Sequence, residues 1–81
     1  MNRLTRARLL ALDLDARGIA ARVLTGDAAG GPDCVVVAVG DRFLRPLRSG
    51  RWVVQTDDGG WTVDCDDVDA MMGENPSKET L

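Results

Sequence analysis

The spacing of apolar residues near the N-terminus predicts an amphipathic helix from about residue 3 to residue 17. At 100° per residue, five apolar side chains fall on one broad stripe, which we expect to face the core: Leu4, Ala7, Leu10, Ala11 and Leu14. Asn2 or Thr5 can cap the start of this helix, and Gly18 can end it in the left-handed conformation.

A second, narrower apolar stripe lies on another side of the same predicted helix. It consists of Leu9, Leu12 and Ala16, and charged residues separate it from the first stripe on both flanks. A helix that buries a single face does not require a second apolar stripe. Two interpretations stay open: the stripe is buried within the domain or merely exposed, or it contacts another protein chain.

Five segments have patterns typical of strands: 19–25, 34–39, 42–47, 51–56 and 61–65. The unbroken apolar run of the second segment predicts a central strand with both faces covered. Pro46, in the third segment, lacks a donor for the strand ladder and predicts an edge strand. The glycine-rich segment 26–33 predicts a mobile loop.

The last two strand segments are expected to form a hairpin through residues 57–60, which read DDGG. A two-residue turn at Asp58-Gly59 is typical of such hairpins and sets the register. The implied cross-strand pairs share one face: Trp52 with Cys65, Val54 with Val63, and Thr56 with Trp61. The opposite face is mainly polar, so both tryptophans are predicted to lie in the core.

A short helix over about residues 66–72 follows, capped by Asp64 or Asp66 and closed by Gly73, and residues 74–81 are expected to form a disordered tail. We therefore predict one α+β domain over residues 1–73, in the order α-β-β-β-β-α. Its two layers would be an antiparallel sheet of three to four strands and the N-terminal helix packed against it.

Composition fits this picture, since 81 residues with 44% apolar and 28% charged side chains can build one core. No apolar run approaches the roughly 18–20 residues that span a bilayer, and no signal peptide is visible, so we expect no membrane association and a cytoplasmic location. Cys34 and Cys65 are then expected to be reduced, buried side chains, with a disulfide or redox pair as the alternative.

The chain contains no histidine, which removes the commonest general base and zinc ligand. We predict no catalytic site, no cofactor and no metal site, and hence no enzyme. An acidic cluster near the C-terminus invites a metal interpretation, but its spacing favours helix capping and a solvated surface. Its members are Asp64, Asp66, Asp67 and Asp69.

A basic series, Arg42, Arg45, Arg48 and Arg51, is interleaved with aromatic residues. Arginines beside aromatics can bind nucleic acid, although they can also protect an edge strand from aggregation, and the net charge of −3 opposes nucleic-acid binding.

The leading hypothesis is a small non-catalytic protein-interaction domain, with another protein or a second copy as partner. Its contact residues would be Leu9, Leu12 and Ala16, with the four arginines available to an acidic partner. The alternative is a nucleic-acid-binding regulator that uses Arg42, Arg45, Arg48 and Arg51.

Overall fold

One antiparallel sheet of five strands carries both helices on the same face. The computed structural model describes residues 2–57 and 59–73. The strands are neighbours in chain order: β1 (Arg22–Thr25), β2 (Val35–Val39), β3 (Arg42–Pro46), β4 (Trp52–Thr56) and β5 (Gly59–Val63). Helix α1 (Arg3–Ala16) precedes them, α2 (Val68–Met72) follows them, and a 3-10 turn (Gly26–Ala29) joins β1 to β2. The α+β class is confirmed, but all five strand segments enter the sheet rather than three to four.

Helix α1 begins as the sequence predicts. The Asn2 side chain accepts a hydrogen bond from the backbone N–H of Thr5 at 2.8 Å, which satisfies one of the free donors of the first turn. The predicted inner stripe packs on the sheet, with Ala7, Leu10 and Leu14 buried. Among the described residues, neither helix is long and apolar enough to cross a membrane.

The core lies between α1 and the face of the sheet that carries Val37, Leu44 and Val54. These three side chains are directly opposite one another on adjacent strands, and each is fully buried. Strand β2 is covered on its other face too, since Val36 is also buried. The predicted central strand is therefore confirmed. Trp52 is buried in the same core, and Trp61 packs against it while partly buried.

The prediction that Pro46 marks an edge strand is wrong, because β3 is the middle strand of the sheet. The neighbouring residue Leu47 donates its backbone N–H to Arg51. Backbone groups alternate between the two sides of a strand, so the nitrogen of Pro46 points the other way, toward β2. The pairing of β2 with β3 ends at Val37 and Leu44, so the missing donor breaks no bond of the ladder.

The last hairpin has the predicted faces but a register shifted by two residues. Trp52 pairs with Val63 rather than Cys65, and Thr56 pairs with Gly59 rather than Trp61. Asp58 of the predicted turn lies outside the described residues, and Gly59 belongs to β5. A shift of two keeps the same side chains on each face, so alternation could not detect it. Gly60 helps to fix the observed register, since a Cβ there would lie 3.0 Å from the carbonyl oxygen of Val54.

Three smaller expectations also change. Residues 26–29 form a 3-10 turn rather than an open loop, because Ala29 is buried and its carbonyl accepts a hydrogen bond from Arg45 at 2.9 Å. Helix α2 is capped by Asp67, whose side chain accepts from the N–H of Ala70, and not by an earlier aspartate.

Both cysteines are free, with Cys65 exposed rather than buried. The predicted tail, 74–81, lies outside the described residues.

Candidate functional site

The outward face of α1 carries apolar side chains that the fold does not use. Leu9 and Leu12 are 50% and 66% exposed, and Ala16 is exposed as well. We call these three residues the outer stripe. Burial within the domain is thus the wrong interpretation of the second stripe, since the sheet contacts the opposite side of the helix. Two large, adjacent apolar side chains on one exposed helix face are typical of a contact surface, although single exposed leucines are common.

Arg6 helps to hold α1 in the orientation that exposes this stripe. Its guanidinium donates to the carbonyls of Leu47 and Gly50 at 2.6 and 2.7 Å, and it lies 5.3 Å from the centre of the Trp52 ring. These contacts tie the first half of the helix to the turn between β3 and β4. No local pattern predicts this role, because in the sequence Arg6 resembles the other charged residues that flank the stripes.

Charged side chains flank the outer stripe on both sides. On one side stand Arg8 and Asp15, and no hydrogen bond or ion pair involves either side chain within the described part of the chain. On the other side Asp13 pairs with Arg17 at 3.4 Å. One flank is therefore neutralised inside the molecule, whereas the other presents a cation and an anion about 10 Å apart along the helix.

A groove of about 400 Å³ runs beside Leu12, between α1 and the edge strand β1. Its lining is mainly apolar and includes Ala11, Ala21 and Val23, with Arg8 and Asp15 along the helix side. The groove is shallow and open to solvent. It extends the apolar surface of the outer stripe toward the edge of the sheet.

A second groove, of about 360 Å³, lies beside Leu9 and is lined by Cys65 together with Asp13 and Asp66. Cys65 donates a weak hydrogen bond to the carboxylate of Asp66 at 3.5 Å, and Asp13 lines the same groove. A cysteine nucleophile is normally activated by an imidazole or another nearby base that takes its proton. The chain has no histidine, and the arrangement offers the thiol an exposed carboxylate alone.

The four arginines of the predicted basic series do not converge on one surface. Arg42 points to the inner face, donates to the carbonyls of Met71 and Gly73 at 2.8 and 2.7 Å, and lies 5.9 Å from the Trp61 ring centre. Arg45 lies on the opposite face, where its guanidinium donates to Gln55 at 2.6 Å as well as to Ala29. Arg48 and Arg51 flank the turn between β3 and β4.

The acidic cluster is divided among separate local contacts. Asp67 caps α2, Asp64 lies 3.3 Å from Arg51, and Asp69 lies 3.9 Å from Arg17. No group of three or more potential metal ligands occurs within residues 2–57 and 59–73. Two of these aspartates, Asp64 and Asp69, thus lie beside arginines from earlier in the chain.

The open face of the sheet holds one further exposed hydrophobic side chain, Phe43, which is 45% exposed. It lies between Ala38 of β2 and Gln55 of β4. Arg45 is two residues away on the same face, but its guanidinium is already bonded. Phe43 thus lies on a sheet face that mixes apolar side chains such as Val53 with polar ones such as Gln55, in contrast to the paired leucines of α1.

Comparison with family models, with curated proteins and with solved structures found no match for this chain.

Proposed function

We propose that this chain is a small non-catalytic protein-interaction domain that contacts its partner through the outer stripe of α1. The observation that carries the proposal is the exposure of Leu9 and Leu12 on a helix whose opposite face already supplies the core. Burying an exposed leucine side chain contributes about 1.5–3 kcal/mol, so two adjacent leucines can anchor a modest interface. The apolar groove beside Leu12 adds to the same surface.

The arrangement of the charged residues supports binding rather than catalysis. Arg6 and Arg42 each donate to two backbone carbonyls, so the domain uses their guanidinium groups to hold its own elements together. The thiol of Cys65 has a carboxylate neighbour and no imidazole. A carboxylate is a weaker base than an imidazole, so this pair gives little support to nucleophilic catalysis.

Nucleic-acid binding has less support from the same contacts. Arg42 and Arg45 lie on opposite faces of the sheet, and each guanidinium donates to a carbonyl within the domain. Arg51 lies near the carboxylate of Asp64. A phosphate backbone would have to compete with all of these acceptors and approach a molecule of net charge −3.

The test compares three purified baits: the wild type, a Leu9→Glu/Leu12→Glu variant, and a Phe43→Glu control with its new charge on the open sheet face. Circular dichroism first verifies that all three are folded. Proteins captured from cells of the source organism are then purified and their affinity for each bait is measured by calorimetry. We expect at least one partner, or the chain itself, to bind the wild type and the control while losing at least 10-fold in affinity for the double variant. Equal affinity for all three baits, or no binding by any of them, would contradict the proposal.

A further inference from the structure

The outer stripe and its flanking charges match a second copy of the same helix. Building on the proposed function, we propose that α1 pairs with α1 of a second copy in antiparallel orientation about a two-fold axis, with Leu9 of each copy against Leu12 of the other. The domain would then associate as a dimer in which two helices are sandwiched between two sheets.

The spacing of the outward residues is that of a helix–helix seam. Thr5, Leu9, Leu12 and Ala16 are separated by four, three and four residues, which is the repeat that keeps one face of a helix against a partner. All four are exposed on α1. The two leucines occupy the middle of the seam, while the small residues Thr5 and Ala16 occupy its ends. An antiparallel partner therefore places small residues opposite small residues and leucine opposite leucine.

The charges on the free flank become complementary under the same two-fold axis. The axis passes midway between Leu9 and Leu12, so Arg8 of one copy comes within about 3 Å, along the helix axis, of Asp15 of the other. Symmetry repeats the contact, so both unpaired ions of each copy gain a partner of opposite charge. No other described contact uses these two side chains.

A parallel pairing fits less well. It would set Arg8 of one copy near Asp13 of the other, and Asp13 already pairs with Arg17 of its own helix at 3.4 Å. Asp15 would then lie about 3 Å, along the helix axis, from Arg17 of the other copy, and Arg17 already pairs with Asp13 of its own helix. The antiparallel arrangement is favoured because it uses the two flanking side chains that have no partner in the described chain.

The short seam implies a weak dimer. Helix α1 has 14 residues, a length of about 21 Å, so one helix pair buries less than the roughly 1,200 Å² of a standard stable interface. We therefore expect a dissociation constant on the order of 10–500 µM, which requires measurements up to about 1 mM protein.

A charge exchange tests this pairing by sedimentation equilibrium. Arg8→Asp alone and Asp15→Arg alone each place two like-charged pairs across the interface, and we expect each to weaken the dimer by roughly 10-fold. The double variant Arg8→Asp/Asp15→Arg recreates the pairs in reverse and is expected to return to within about 3-fold of the wild type. Failure of the double variant to recover, with all variants folded by circular dichroism, would overturn the pairing.

Crosslinking tests the orientation independently. In a Cys34→Ser/Cys65→Ser background, Thr5→Cys and Ala16→Cys are introduced in separate chains and mixed under oxidising conditions. The antiparallel seam places residue 5 of one copy beside residue 16 of the other, so a mixed disulfide dimer is expected. Two copies of residue 5 would lie about 16 Å apart along the axis and should not crosslink. A dimer linked between two copies of residue 5 would contradict the antiparallel arrangement.

The two proposals can fail separately. A wild-type chain that remains monomeric at about 1 mM overturns the self-pairing. The interaction function survives that result if a different protein binds the wild type and loses affinity for the Leu9→Glu/Leu12→Glu variant. If the wild type dimerises but this variant dimerises equally well, the self-pairing is wrong, and the interaction function is wrong as well unless a different protein loses affinity for the variant.

Discussion

The two faces of α1 carry similar side chains in opposite environments. On the inner face Leu10 and Leu14 are buried against the sheet, whereas on the outer face Leu9 and Leu12 are mostly exposed. The same contrast holds for the arginines, since Arg6 is bonded to two carbonyls and Arg8 has no partner within the described residues. One helix thus completes the core of the domain and offers a second apolar surface that the core does not need.

This contrast shows that apolar character alone does not assign a residue to the core. A helix lying on one layer can bury only one side, so the position of the sheet decides which leucines stabilise the fold. The leucines on the other side, Leu9 and Leu12, keep half or more of their surface exposed to water. The proposed interface would bury this apolar area.

The largest expected difference between the two faces is in stability. Leu14→Ala removes a fully buried side chain, and we expect the free energy of unfolding to fall by about 2–5 kcal/mol because a cavity remains. Leu12→Ala truncates a side chain that is 66% exposed and should change it by less than about 0.5 kcal/mol. Denaturant unfolding at a protein concentration that keeps the chain monomeric measures both. Similar losses for the two variants would show that the faces are not distinct.

The arginine pair gives the next largest effect. Arg6→Ala removes the guanidinium from the carbonyls of Leu47, which keeps the N–H of Gly50, and of Gly50, and it removes the cation above Trp52, so we expect a loss of about 1–3 kcal/mol in the free energy of unfolding. Arg8→Ala on the same helix should cost less than about 0.5 kcal/mol. Denaturant unfolding measures the stability of both variants. An equal loss for Arg8→Ala and Arg6→Ala would contradict this prediction.

Much of the fold follows from local patterns in the sequence. The cap at Asn2 and the apolar spacing of α1 are local, so they predict the helix to within one residue of its end. The unbroken apolar run predicts the central position of β2 because both of its faces are buried. In the last hairpin the alternation predicts the faces correctly, since the observed shift of two residues leaves them unchanged.

The errors arise where distant parts of the chain meet. Pro46 is tolerated in the middle strand because the pairing of β2 with β3 ends before it, although β2 itself continues to Val35. The turn at 26–29 is held by Arg45, 16 residues away from Ala29. Arg42 likewise donates to the carbonyl of Met71 in α2, which is 29 residues away in the sequence. Such contacts have no local signature, so the hydrogen-bond partners of Arg42 and Arg45 could not be predicted from the sequence.

The outer stripe was visible in the sequence, but its exposure was not. The spacing of Leu9, Leu12 and Ala16 separates them from the inner stripe in any helix. Whether a second layer covers them depends on where the chain places α2. That helix packs beside the sheet, against the shared core, and leaves the stripe open. The complementary charges of Arg8 and Asp15 indicate a contact with another chain only once the stripe beside them is known to be exposed.

The most direct test of the central claim is a dilution series of amide nitrogen–proton NMR spectra, from about 1 mM to about 20 µM, a range that spans the expected dissociation constant. The account predicts concentration-dependent shifts that cluster on the outward residues of α1, at positions 5, 8, 9, 12, 15 and 16, while the amide of Phe43 on the open sheet face stays unchanged. Spectra that do not change with concentration, or changes centred on Phe43, would contradict it.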